Sequence, residues 1–141
     1  MAYEVGQEIA RRGVVLVCGG LGGVMEAACR GAKEAGGLTV GILPGLSLHD
    51  ANPFVDIAIA TGLGEARNLI IVHTASGLIA CGGQAGTLSE IAFALRAGKI
   101  LAGLRTWKLR DHEGREDFFP SFERPDQAVE FVFKNLPGRE P

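Results

Sequence analysis

Apolar residues fall in short unbroken runs, separated by longer stretches where they recur every three or four positions. “VVLVC” (14–18), “LTVGILP” (38–44), “VDIAIAT” (55–61), “GLIAC” (77–81) and “ILAGL” (100–104) are aliphatic, largely β-branched runs. Each predicts a strand, with the run at 14–18 reading as buried on both faces and that at 38–44 as buried. “AYEVGQEIARR” (2–12), “VMEAACRGAKEAG” (24–36), “GEARNLIIVHTA” (64–75) and residues 85–97 carry helical periodicity. “PDQAVEFVFKNL” (125–136) reads as a closing helix, with Pro125 in its first turn and Asp126 beside it. Residues 105–124 are charged, contain Trp107 and have little period, so they predict an irregular loop.

Strands alternating with helices imply right-handed βαβ units. The expected architecture is an α/β fold with an open, mostly parallel sheet and helices on both faces. No repeat or linker interrupts the pattern, which predicts one domain over residues 1–141. The chain opens on a helix, whereas a doubly wound domain opens on a central strand. Either that first strand is lacking or the recorded start lies inside a longer gene product.

Composition narrows the function. Of 141 residues 47% are hydrophobic and 21% charged, a globular balance. The formal charge is 14 − 16 = −2. That lacks the basic excess that neutralises nucleic-acid phosphates, so no nucleic-acid partner is expected. No apolar run is long enough to cross a bilayer and no signal-peptide pattern opens the chain, which predicts a cytoplasmic protein without a membrane partner. Cys18, Cys29 and Cys81 match no metal-binding spacing and read as reduced thiols, with Cys18 and Cys81 at strand ends. No pair among His49, His73 and His112 has ligand spacing, so no metal site is expected. His49 and Asp50 sit in a polar turn, and His73 falls near a helix end where a cation suits the dipole.

The 21 glycines cluster where strands hand over to helices. “GGLGG”, with Gly19, Gly20, Gly22 and Gly23, follows the first strand. “GGQAGTLSE”, with Gly82, Gly83, Gly86, Thr87 and Glu90, follows the fourth. Both fall at the carboxyl edge of a parallel sheet, where ligands bind, and are expected to face one crevice. Side-chain-free amides at a helix start bind anions. The plainer alternatives are a tight turn at the first loop and a capping box, Thr87 to Glu90, at the second. Glu26 opens the second helix, where an acid complements the dipole. Arg67 stands in the first turn of a helix, where a cation works against the dipole, so a ligand or carboxylate partner is expected for it.

Together “GGLGGVMEAACRGAKEAGG”, “TVGILPG”, “GEARN” and “CGGQAGTLSE” resemble the Rossmann-like family once labelled “possible lysine decarboxylase”. That family includes the molybdenum cofactor carrier proteins and the “lonely guy” cytokinin-activating phosphoribohydrolases. The resemblance spans about residues 1–107 and is closest to the carrier-like branch. It implies a Rossmann-like protein that forms a homodimer or homotetramer and binds a phosphate-bearing small molecule, either molybdopterin (the molybdenum cofactor) or a nucleoside monophosphate. Under the carrier reading the protein holds the pterin ligand. Under the hydrolase reading it cleaves the N-glycosidic bond of a nucleoside 5′-monophosphate. Glu90 then matches the family's glutamate, Arg67 is the candidate arginine beside it, and Gly82, Gly83, Gly86 and Thr87 cradle the phosphate. Cys81 stands where the hydrolases carry proline, and “GEARNLI” replaces their M-H-x-R-K context, which favours the carrier reading. No lysine lies near the glycine loops to support decarboxylase chemistry. A distant DNA-processing relationship is disfavoured by the acidic balance.

Overall fold

The computed structural model describes residues 1–138. The chain folds as two compact units, one from Met1 to Ala75 and one from Ser76 onward. Strand pairing runs in two three-stranded ladders, one in each unit, and every pair is parallel.

The first unit contains α1 (Ala2–Arg11), β1 (Leu16–Cys18), α2 (Val24–Glu34), β2 (Thr39–Leu43), β3 (Ile57–Ala60) and α3 (Arg67–Thr74). Its strand order is β1-β2-β3, with Val17 opposite Val40 and Ile42 opposite Ile59. Small residues let α1 and α2 touch backbone to backbone. A Cβ on Gly6 would fall 1.9 Å from the Ala28 carbonyl oxygen, and one on Gly31 would fall 1.9 Å from that of Tyr3. Ala2, Leu16, Ala28, Cys29 and Ala32 form the core beneath that contact. The chain entering β3 is tied to the start of β2. The Asp56 carboxylate accepts from Lys33 Nζ (2.9 Å) and from the Thr39 amide (3.0 Å). These donors hold the Asp56 carboxyl below its ordinary value, the lysine contributing most.

The second unit contains β4 (Gly77–Cys81), α4 (Ala85–Ala97), β5 (Ile100–Leu104), β6 (Ser121–Phe122) and α5 (Pro125–Asn135). Its order is β4-β5-β6. Helices α4 and α5 pack on β4 and β5. Ile91, Ala94, Ala102, Leu104 and Val129 are fully buried. Gly98 ends α4 in the left-handed region (φ +68), as a C-terminal glycine does.

Several expectations need correction. The first strand is shorter than 14–18 because Val15 is already 47% exposed. The third is a strand as expected, though shorter than 55–61. Ile57 and Ile59 are half-exposed because β3 is the outer strand of its ladder and one face is uncovered. The helix expected over 64–75 begins as a 3-10 turn, Gly64–Ala66, before α3. The segment 105–124 is not wholly irregular, since Ser121–Phe122 pairs with β5. The Thr87–Glu90 capping box does not form. Helix α4 starts at Ala85, so Gln84 is its N-cap and Thr87 already lies inside the first turn.

Candidate functional site

The first glycine loop joins β1 to α2. Gly19 and Gly20 are buried, whereas Gly22 and Gly23 are exposed. Gly20 has φ +76, and a Cβ there would sit 2.7 Å from Leu43 Cδ2 and 3.1 Å from Gly41 Cα. Only glycine fits both that backbone and that space. Among the described residues, a Cβ on Gly22 or Gly23 would meet no atom within 4 Å. Gly23 is the N-cap of α2 and gives it no side-chain cap. The first amides of α2 therefore lack a capping side chain, at the positive end of an eleven-residue helix. Glu26 lies in that first turn.

Two buried side chains hold this loop. Asn52 Nδ2 donates to the Leu21 carbonyl (2.9 Å), and the Asn52 amide donates to that of Gly20 (2.8 Å). Arg67 is 4% exposed. Its Nε donates to the Ile42 carbonyl (3.0 Å), its Nη1 to Asn68 Oδ1, and its Nη2 to the Gly19 carbonyl (3.5 Å). Glu65 supplies a carboxylate 3.7 Å from Nη1. Arg67 ties the end of β2, the start of the glycine loop and α3 together. Sequence reasoning singled out Arg67 as a ligand-facing cation. Its burial against backbone carbonyls makes it a positioning residue for the loop. Asn52 was missed, because an asparagine in a polar turn signals nothing until the fold brings it to a loop some thirty residues away.

The second glycine loop joins β4 to α4. Gly82 takes φ +80. Gly83, Gln84 and Ala85 are exposed, and Gly86, Thr87 and Glu90 are half-buried. A Cβ on Gly83 would meet no atom within 4 Å among the described residues. Gln84 gives α4 no side-chain cap, so the first amides of α4, with the Thr87 hydroxyl in the same turn, form the second anion-receptive helix start. Glu90 follows one turn further along. The loop is fastened by the segment expected to be plain loop. Thr106 Oγ1 donates to the Gly82 carbonyl, and Trp107 Nε1 donates to the Gln84 carbonyl (3.1 Å). A lone tryptophan in a charged stretch was the available signal. Cys81, at the end of β4, is a thiol that burial pushes up to about 11, so it stays protonated.

His49 and Asp50 lie in an exposed 3-10 turn, His73 in the last turn of α3, and His112 in an exposed loop. Among the described residues no three His, Cys, Asp or Glu side chains gather to hold a metal ion. No described helix is long and apolar enough to cross a membrane. A shallow hollow of 360 Å³ between β6 and α5, walled by Phe122, Phe131 and Lys134 among others, takes in none of the candidate residues.

Two glycine-led, uncapped helix starts in one α/β chain are the arrangement to set beside known proteins. Residues 1–131 match the SLOG cluster4 family. The chain belongs to that family. A protein of Archaeoglobus fulgidus is 50% identical over 135 residues, covering 96% of this chain and 85% of the relative. The molybdenum cofactor binding protein of the phototrophic bacterium Rippkaea orientalis superposes with TM-score 0.85 at 42% identity, over 94% of this chain and 84% of the other. The molybdenum cofactor carrier protein of Chlamydomonas reinhardtii superposes with TM-score 0.82 at 38% identity, over 95% and 84%. The Rossmann-like fold expected from the motifs is therefore the fold of this SLOG chain, and molybdenum cofactor carrier proteins are among its neighbours.

Proposed function

We propose that this protein binds the molybdenum cofactor as cargo and acts as a carrier for it. The observation that carries the reading is the likeness, at 42% and 38% identity over nearly the whole chain, to proteins that bind or carry that cofactor. The glycine loops fit the phosphate of such a ligand. At the start of α4 the amides of Ala85, Gly86 and Thr87 and the Thr87 hydroxyl share one turn with no capping side chain in competition, behind a loop led by Gly82 and Gly83. The loop of Gly19, Gly20, Gly22 and Gly23 leads to a second uncapped helix start of the same kind at α2. Backbone amides recognise the phosphate rather than what it carries, so they suit a carrier that must also release its cargo. Arg67 shapes the first loop through the Gly19 carbonyl. In this reading the protein works in the cytoplasm as a homodimer or homotetramer.

The hydrolase alternative assigns Glu90 to stabilise positive charge on a ribose or to activate water, with Arg67 beside it. The buried, backbone-directed guanidinium of Arg67 counts against that role.

The reading is tested by mixing the purified protein with molybdenum cofactor under anaerobic conditions and desalting. Pterin and molybdenum should elute with the protein, and Thr87→Val should reduce the retained amount several-fold. In parallel the protein is incubated with AMP. Release of adenine and ribose 5-phosphate that disappears in Glu90→Gln would establish the hydrolase instead.

A further inference from the structure

Cys18 ends β1 and Cys29 lies on the inner face of α2, eleven residues apart. Their sulfur atoms stand 3.4 Å from each other, in hydrogen-bond contact. The Gly20 amide donates to the Cys18 sulfur, also at 3.4 Å. We propose that Cys18 and Cys29 are a reversible dithiol–disulfide pair whose oxidation closes a covalent ring around the Gly19–Gly23 loop.

Three observations carry this. A disulfide has its sulfurs about 2.05 Å apart, so the pair needs only about 1.4 Å of approach. The two thiols differ in access. Cys29 is fully buried, whereas Cys18 is half-buried. The ring also runs through every residue of the glycine loop and the first turn of α2, with its closure at the loop's anchored end. Besides the geometry, the hydrogen bond with Cys18 lowers the Cys29 thiol from its ordinary value against the opposing effect of burial.

The chemistry takes a small peroxide as oxidant. The Cys18 thiolate attacks one peroxide oxygen, the O–O bond breaks, and Cys18 becomes a sulfenic acid as the other oxygen leaves as water. The Cys29 thiolate then attacks the Cys18 sulfur. The S–S bond forms, the S–O bond breaks, and hydroxide leaves and is protonated to a second water. Two thiols and one hydrogen peroxide give one disulfide and two waters. A dithiol reductant reverses the step by thiol–disulfide exchange.

The existence of the bond does not depend on the carrier reading. Only its consequence for a ligand at Gly19–Gly23 does. The test is to treat reduced protein with an equimolar amount of hydrogen peroxide, alkylate the remaining thiols, digest without reduction and map the peptides. The expected result is a Cys18–Cys29 link within one molecule, with the protein lighter by two hydrogens. Dithiothreitol should reverse it. It should be absent from Cys18→Ser and Cys29→Ser and present in Cys81→Ser. The oxidised protein should melt about 5 °C higher, as closure of a short loop predicts. Should either serine variant fail to fold, the mapping of the unaltered protein decides alone. The proposal is overturned if both thiols remain open to alkylation on unfolding, if links form only between molecules, or if oxidation lowers the Tm. A disulfide that forms while cofactor retention stays unchanged would keep the redox pair and remove its proposed effect on the loop.

Discussion

The two glycine loops begin alike, at the end of a parallel strand, and enter helices without side-chain caps. They are held in different ways. The loop at Gly19–Gly23 is fastened from inside, by the buried side chains of Asn52 and Arg67 acting on its carbonyls. The loop at Gly82–Thr87 is fastened by the half-buried side chains of Thr106 and Trp107, the latter through an exposed hydrogen bond to the Gln84 carbonyl. Buried donors with several acceptors resist rearrangement, because breaking them leaves desolvated carbonyls unpaired. An exposed hydrogen bond such as that from Trp107 to Gln84 can be replaced by water at little cost. The first loop is therefore the more firmly held of the two.

Substitution at Arg67 breaks this contrast hardest. Arg67→Ala removes the donors to Ile42, Asn68 and Gly19, and should cost about 3 kcal/mol of stability in denaturant unfolding. Arg67→Lys, which lacks the planar fork, should recover only part. A cost below about 1 kcal/mol would mean that the first loop is not held from inside. Next come the glycines themselves. Gly20→Ala combines a left-handed backbone with a 2.7 Å approach to Leu43 and should cost about 2 kcal/mol. Gly22→Ala, in open space without positive φ, should stay within about 0.5 kcal/mol of the parent.

Acid sharpens the comparison further. Asp56 ties sheet backbone in the first unit, whereas Asp111 closes an exposed turn through Arg115 in the second. The folded-state value of Asp56 is depressed, so its contribution is present above the ordinary 3.8 and is lost as pH falls through the lower folded value. Asp56→Asn should lower the Tm by a few degrees at pH 7 and by nothing measurable once the parent's carboxyl is protonated. Asp111→Asn should change the Tm less at pH 7. The smallest stability effect belongs to Trp107→Phe, about 0.5 kcal/mol or less. Its mark should fall on the second loop, as faster amide exchange near Gln84 with exchange near Gly20 unchanged.

Much of this organisation was legible in the chain. The strand at 77–81 and the helix at 85–97 stood out because each stops at a glycine, Gly82 and Gly98, and the strand at 100–104 stood out as an unbroken apolar run. The third strand was legible as a strand, but its exposure was not. Its isoleucines look the same in an interior strand and in an outer one, and only the sheet order shows that β3 is outermost. The capping box misled because T-x-x-E spacing does not fix where a helix begins, and α4 starts two residues before Thr87. The glycines and Arg67 were visible as candidates. Asn52, Thr106 and Trp107 were not, because their roles come from contacts between segments far apart in sequence.

The central claim is that the amides at the start of α4 receive the ligand's phosphate. It is tested most directly by following backbone amide resonances while molybdenum cofactor is titrated anaerobically into the labelled protein. The account predicts saturable shifts concentrated at Gly82, Gly83, Gly86 and Thr87, lost in Thr87→Val at the same cofactor concentrations. Saturable binding that leaves those four amides unmoved would contradict it.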